Sequence, residues 1–369
     1  MKYSLKIIAL LLFASSLLTL GVNGTDVSAR SAVLIEADSG DVIYEKHANE
    51  RMSMASTTKI MTALVAIENG DLSKEVTVAP EACGIEGSSI YLKEGEVLTL
   101  EELIYAVMLE SANDAAAAVA YEIAGGIEPF AEMMNETAER IGLGNTHFTN
   151  PHGLDEAEHY TTALDLANLA AYALQNEQFR TIVSTYRKQI PLNGDEGTRV
   201  LINHNKLLKL SDDVIGVKTG FTKHSGRCLV SAAERDGVCV IAVTLNAPDD
   251  WNDHLALHEL GFAEYESYTL AEPGEFTVEI PCTGADGGIV MLQNRDGLSL
   301  TMKSGKEITR EIVCDRLLFP PIEMGEELGR VKFYCDGEEI GCVPLYSTVE
   351  VTEAEPKPHF YDKILDLFR

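Results

Sequence analysis

Three short motifs carry side chains that could do chemistry together: Ser56-Thr57-Thr58-Lys59, Ser111-Ala112-Asn113 and Lys218-Thr219-Gly220. Each pattern occurs once, in that order. Alone, Ser-x-x-Lys is weak, because about one match is expected by chance in a chain of this length. The joint occurrence is specific. It describes serine acyl transfer driven by lysine, which needs a nucleophile, a proton acceptor, a relay to the leaving group and donors for an oxyanion. Ser56 and Lys59 stand three apart, a spacing that brings two side chains to one face of a helix. A lysine with the ordinary pKa of about 10.4 is a poor base at neutral pH. Burial and a second cation would lower it, and Lys218 is the natural second cation.

These residues need a frame. Residues 56–69 read as a helix that is apolar nearly all round, hence buried. Thr99 followed by Glu102 is a capping-box pattern that opens another helix, broken at Ser111 to Asp114 before an alanine-rich helix. That break suits residues that protrude into a cleft. Further helices are predicted at 128–141, 162–175 and 250–266. Residues 31–46 read as a hairpin turning at Asp38-Ser39-Gly40-Asp41. Three adjacent strands are predicted over 214–246, the last two a hairpin joined by Arg235-Asp236-Gly237, with Lys218-Thr219-Gly220 on the first. Phe221 and Thr222 follow directly. A strand edge beside a cleft can pair with an extended peptide, and glycine lets a ligand backbone approach. Strands therefore bracket a helical middle. The expected fold class is α/β (α+β), a sheet flanked by helices, with the two ends of the domain completing one sheet.

Beyond Pro273-Gly274 the texture becomes short alternating apolar runs with glycine turns, read as a small all-β domain. The expected partition is a signal peptide at 1–29, a catalytic domain at 30–270, the β domain at 271–352 and a tail at 353–369. Lys2 and Lys6 precede an apolar run from Ile7 to Leu20, the pattern of a secretory signal peptide. In the tail, Phe360, Tyr361, Ile364, Leu365, Leu367 and Phe368 gather on one side of a short helix, read as an interfacial anchor or a docked helix.

The 369-residue chain carries a formal net charge of -29, which excludes a nucleic-acid footprint. Its 46% hydrophobic content is ample for a core. Seven dispersed cysteines contain no C-x-x-C pair, which leaves buried free thiols or disulfides among the last four. His254 and His258 are not in a His-Glu-x-x-His order, so no metal site is expected and they read as helix-surface histidines.

With these residues in view, the chain resembles the low-molecular-mass penicillin-binding proteins, specifically serine-type D-alanyl-D-alanine carboxypeptidases. The resemblance covers roughly residues 30–350 and includes Asn150-Pro151-His152-Gly153-Leu154-Asp155 and His159-Tyr160-Thr161-Thr162. It implies a β-lactamase/transpeptidase-like domain without a cofactor. It also implies that Ser56, Lys59 and Ser111 are catalytic, and that Asn113, Lys218, Thr219, Gly220, Phe221 and Thr222 bind substrate. The backbone N–H groups of Ser56 and Phe221 would form the oxyanion hole. The implied partners are peptidoglycan stem peptides, β-lactams as covalent inhibitors and the membrane surface. The implied location is the bacterial cell envelope, on the outer face of the cytoplasmic membrane. Some relatives carry Arg where this chain has His204, and His where it has Phe221. A β-lactamase or a slow β-lactam sensor shares the three motifs and stands as the alternative.

Overall fold

The computed structural model describes residues 26–192, 197–284 and 288–353. Most of the expected signal segment, and the amphipathic tail from residue 354 onward, lie outside the described residues. No described helix is long and apolar enough to cross a membrane.

The chain enters through the hairpin β1 (Ser31–Glu36) and β2 (Val42–Lys46). A 3-10 turn at Ala55–Thr58 then leads into α1 (Lys59–Asn69). The helix expected over 56–69 is thus divided, and Ser56 lies on the tighter turn. The 3-10 turn runs directly into the α-helix at Lys59, and Ala55, at φ 47, opens the turn in a left-handed conformation. A short pair, β3 (Glu75–Thr77) and β4 (Val97–Thr99), precedes α2 (Leu100–Leu109). The capping box forms in full: Thr99 Oγ1 accepts from the Glu102 N–H at 3.2 Å, and Glu102 Oε2 accepts from the Thr99 N–H at 2.8 Å. Ser111, at φ 59, breaks α2 from α3 (Asn113–Ala124), as expected.

Then come α4 (Ile127–Arg140), α5 (Ala163–Leu174) and α6 (Glu177–Ser184). The last escaped the sequence reading, although Asn176 caps it by accepting from the Gln178 and Phe179 N–H groups. The hairpin β5 (Arg187–Pro191) and β6 (Thr198–Ile202) and the single turn α7 (Leu207–Leu210) follow. The three expected strands are β7 (Val214–Thr222), β8 (Gly226–Arg235) and β9 (Val238–Leu245). Asp236 and Gly237 both take positive φ, which gives the two-residue turn that matches the twist of β8 and β9. Helix α8 (Asp250–Glu264) stops where β10 (Tyr265–Ala271) begins, two residues short of the expected end.

The main sheet runs β2-β1-β9-β8-β7, all antiparallel. N- and C-terminal strands therefore complete one sheet, and β7 is an edge. One face, with Val33, Ile35, Val230 and Val243, packs against α1, α2, α3 and α5. The other, with Ala32, Leu34, Leu229 and Ala242, lies under α8. The remaining strands are β11 (Thr277–Pro281), β12 (Ile289–Gln293), β13 (Leu298–Lys303), β14 (Ile308–Cys314), β15 (Glu327–Cys335) and β16 (Glu338–Ser347). Five of these form a sheet ordered β11-β12-β16-β15-β14, while β13 pairs with β10. They enclose a separate core of Leu270, Phe276, Val290, Leu292, Val331, Phe333 and Leu345. The pairing of β10 with β13 starts at Tyr265, before the boundary read at 270–271. All seven thiols are free.

Candidate active site

Ser56, Lys59, Ser111, Thr219, Gly220 and Phe221 are brought together where the edge strand β7 meets the start of α1. A cleft of about 280 Å³ is lined by Ser56, Ser88, Ser111, His204, Thr219, Gly220, Phe221, Arg227, Asp250 and Trp251. Lys59, Asn113 and Lys218 lie beneath its floor, all buried. Thr222 lies beyond the lining, its Oγ1 accepting the Ser225 N–H at 2.9 Å and closing the turn into β8.

Lys59 is fully buried. Its Nζ lies 3.1 Å from Ser56 Oγ, 2.7 Å from Asn113 Oδ1 and 2.5 Å from the His152 carbonyl oxygen. Asn113 Oδ1 and the His152 carbonyl can only accept. A neutral amine has two hydrogens and one lone pair, so satisfying both acceptors leaves the lone pair for the Ser56 hydroxyl. Burial first, then the Lys218 cation, push the Lys59 amine well below the ordinary lysine range, with Asp114 opposing. Lys218 is pulled down to about 7 by burial, opposed by Glu110. Of the two lysines, Lys59 is the one held neutral. Lys218 Nζ donates to the Thr219 carbonyl at 3.0 Å, inside the fold.

The backbone around Ser56 is shaped for close approach. A Cβ on Gly220 would sit 3.0 Å from the Ser56 nitrogen and 3.1 Å from that of Thr57, so only glycine lets β7 lie this close to the turn. The Thr57 N–H is taken by the Met54 carbonyl, whereas no described residue accepts the Ser56 N–H. Ser111 is nearly buried, and its left-handed φ is the kind of strain that persists where surrounding structure over-determines it. Phe221, 66% exposed, stands at the rim.

Several residues that hold this geometry were invisible to motif reading. The loop after α4 supplies the His152 carbonyl, and the Pro151 carbonyl accepts from Thr62 Oγ1 at 2.6 Å, clamping that loop to α1. Gly153 has φ 85, and a Cβ there would collide with the Ala55 carbonyl. Thr58 Oγ1 lies 2.7 Å from His159 Nε2, tying the same loop to the turn. Burial takes His159 down to about 4 and His152 to about 3. On the other side, Asn113 Nδ2 donates to the Glu86 carbonyl at 2.5 Å, and Asp114 receives the Ile90 and Leu92 N–H groups. Asn113 is thereby a bridge between Lys59 and the 86–92 loop, with one Nδ2 hydrogen left for a ligand. The sequence signals for these supports were the Asn150–Asp155 and His159–Thr162 segments, legible as a resemblance but not as chemistry.

His204 lines the cleft with Nε2 3.3 Å from Glu110 Oε2, its pKa lowered by burial and by Lys218. His254 and His258, expected on a helix surface, are buried instead. They face the sheet from α8, with Ser231 Oγ 2.5 Å from His254 Nδ1 and 2.8 Å from His258 Nε2. No group of three potential metal ligands occurs among the described residues.

Comparison with known proteins places the chain in a family. The D-alanyl-D-alanine carboxypeptidase family profile matches residues 19–249, and that of the penicillin-binding protein 5 C-terminal domain matches residues 265–353. The chain is 34% identical over 337 residues to the D-alanyl-D-alanine carboxypeptidase DacF of Bacillus subtilis, covering 88% of this chain and 86% of that protein. It is 31% identical over 350 residues to DacC of Escherichia coli, covering 90% and 86%. Among solved structures, penicillin-binding protein 5 from Haemophilus influenzae superposes with a TM-score of 0.66 at 29% identity, covering 90% of this chain and all of that one.

Proposed function

The chain belongs to the D-alanyl-D-alanine carboxypeptidase family, and from that premise we propose that Ser56 is the acylated nucleophile and Lys59 its base. The protein is a serine hydrolase of the penicillin-binding type, acting on peptides that end in D-alanyl-D-alanine. The observation that carries the assignment is the Lys59 amine: buried, bonded to two pure acceptors, and offering its lone pair to Ser56 Oγ at 3.1 Å.

Lys59 takes the Ser56 proton as Oγ attacks the carbonyl of the penultimate D-alanine. The negative charge that develops on that carbonyl oxygen meets the backbone N–H groups of Ser56 and Phe221. Ser111 relays the Ser56 proton from Lys59 to the departing amine, taking one as it gives one, and the C–N bond breaks to release D-alanine, leaving Lys59 neutral again. Lys218, buried beside the site, keeps Lys59 neutral and supports the negative charge. Thr219 holds the terminal carboxylate, while Gly220 and Thr222 shape the strand edge against which the peptide lies. Water then attacks the Ser56 ester, its proton returns through Lys59, and a peptide shorter by one residue leaves. β-Lactams follow the first half of this path and acylate the same serine. Asn113 contacts the substrate amide through its remaining Nδ2 hydrogen while positioning Lys59.

The site acts on peptidoglycan stem peptides in the cell envelope. The basic and apolar residues 2–20 support export, and the apolar arc at 360–368 supports attachment at the outer face of the cytoplasmic membrane. A stem pentapeptide incubated with the protein should release D-alanine, and Ser56→Ala should abolish release without lowering the melting temperature. Penicillin labelling without D-alanine release would favour a sensor, and rapid penicillin hydrolysis would favour a β-lactamase.

A further inference from the structure

The cleft must recognise a free carboxylate, and its cations are unequally placed for that task. Lys59 and Lys218 are 0% and 1% exposed, beneath the floor. Lys218 leaves β7 on the face of Val230, its opposite neighbour, where α1 packs. His204 is not a permanent cation: burial and Lys218 lower its pKa, and its Nε2 is turned to Glu110 Oε2 at 3.3 Å. One lining residue carries a permanent positive charge: Arg227.

Arg227 is built into position. On β8 it stands opposite Phe221, so its side chain shares a face with Phe221 and Thr219 and not with Lys218. Its Nη2 donates to both Asp250 oxygens, at 2.7 and 2.9 Å. Its guanidinium lies 5.4 Å from the Trp251 ring centroid. Asp250 is itself buried at the start of α8. Yet the guanidinium is not saturated: Nε is a buried donor without an acceptor, and no described residue accepts from Nη1. The side chain is 41% exposed. A cation held by Asp250 through Nη2, with Nη1 unused and open to the cleft while Nε is sealed from it, is prepared for a second anion.

We propose that Arg227, oriented by Asp250 and Trp251, is the residue that binds the substrate's terminal carboxylate, together with the Thr219 hydroxyl. This inference rests on the carboxypeptidase reading of the cleft. It divides the labour between cations on the two faces of the sheet. Lys218 works inside, on the base, and Arg227 works outside, on the ligand. Arg227 therefore sets specificity for a free carboxyl end over a capped one.

The test compares wild type with Arg227→Gln and Arg227→Lys on two acyl donors: a stem-like peptide ending in D-Ala-D-Ala and the same peptide with a C-terminal carboxamide. Losing hydrogen bonds to a charged partner is worth about 10- to 100-fold. Arg227→Gln should lower kcat/KM for the free acid by that amount, chiefly through KM. The carboxamide should fall far less, which also shows that the variant is folded. Arg227→Lys, which keeps the charge but not the fork, should lie between. Equal losses on both donors, or no loss on the free acid, would overturn the proposal. A wild type that releases no D-alanine would sink the carboxypeptidase reading instead. Arg227 would then still be judged by the rate at which benzylpenicillin and its methyl ester label the protein. Selective slowing of the free acid in Arg227→Gln is expected, and equal slowing contradicts it.

Discussion

Two buried clusters of nitrogen bases lie on opposite faces of the main sheet, and they do different work. On the face packed by α1, Lys59 is held by Asn113 and the His152 carbonyl and touches Ser56 at the rim of a cleft. On the face under α8, His254 and His258 share the Ser231 hydroxyl, and Thr244 Oγ1 lies 2.9 Å from His254 Nε2. Burial holds the bases neutral in both clusters. What separates them is access. Lys59 borders the Ser56 hydroxyl, which lines the cleft, and a second cation, Lys218, whose charge lowers its pKa. The imidazoles border two hydroxyls that are wholly inside. A depressed pKa therefore marks a working base only where the lone pair reaches a cleft.

The comparison breaks hardest at Lys59. Lys59→Met should lower D-alanine release by about 10³- to 10⁴-fold, the scale of a lost general base. Its unfolding free energy should change by only about 1 kcal/mol, because the stranded acceptors are offset by relief from desolvating an amine. Steady-state kinetics and a urea melt on the same preparation check both halves. The opposite behaviour is expected across the sheet. His254→Phe leaves the Ser231 and Thr244 hydroxyls without their shared partner and should cost about 2–4 kcal/mol in a urea melt. Its kcat per folded molecule should stay at the wild-type value.

Protonation sharpens the contrast. His258 titrates at about 4 in the fold, lowered by burial with Arg235 assisting and Glu259 and Asp213 opposing. The unfolded chain binds that proton more readily, near pH 6.5, so stability is complete above that pH and is lost as pH falls toward 4. His258 alone should remove about 2 kcal/mol between pH 7.5 and pH 5, read from urea midpoints. His258→Gln should reduce the total slope by that amount, leaving the part owed to His152, His159 and His254, which burial also lowers. An unchanged slope in the variant would contradict the assignment to His258. The smallest effect is expected at Thr244→Val, which removes one buried hydrogen bond and should cost about 1 kcal/mol with kinetics unchanged.

The same two clusters show what sequence could reveal. Ser56, Lys59, Ser111 and Lys218 were legible because their chemistry is written in short spacings, and the strands around Lys218 and the capping box at Thr99 were legible because their signals are local. The His152 carbonyl and Gly153 were not, since a backbone acceptor and a missing Cβ leave no residue-type signature. The histidines of α8 were misplaced for a different reason. A polar residue at helical spacing reads as solvent-facing, and only tertiary packing brings Ser231 beneath it. Arg227 escaped because its role depends on which face of β8 it occupies, which is fixed by register with Phe221. The division of the Ser56 helix into a 3-10 turn and α1 was not legible either, since the same residue types suit both.

The most direct test of the account is covalent labelling by benzylpenicillin followed across pH, with the labelled peptide identified by mass. The account predicts a single adduct on Ser56, formed more slowly as acid protonates Lys59, and hardly formed in Lys59→Met. An adduct at another residue, or a Lys59→Met protein labelled at the wild-type rate, would contradict it.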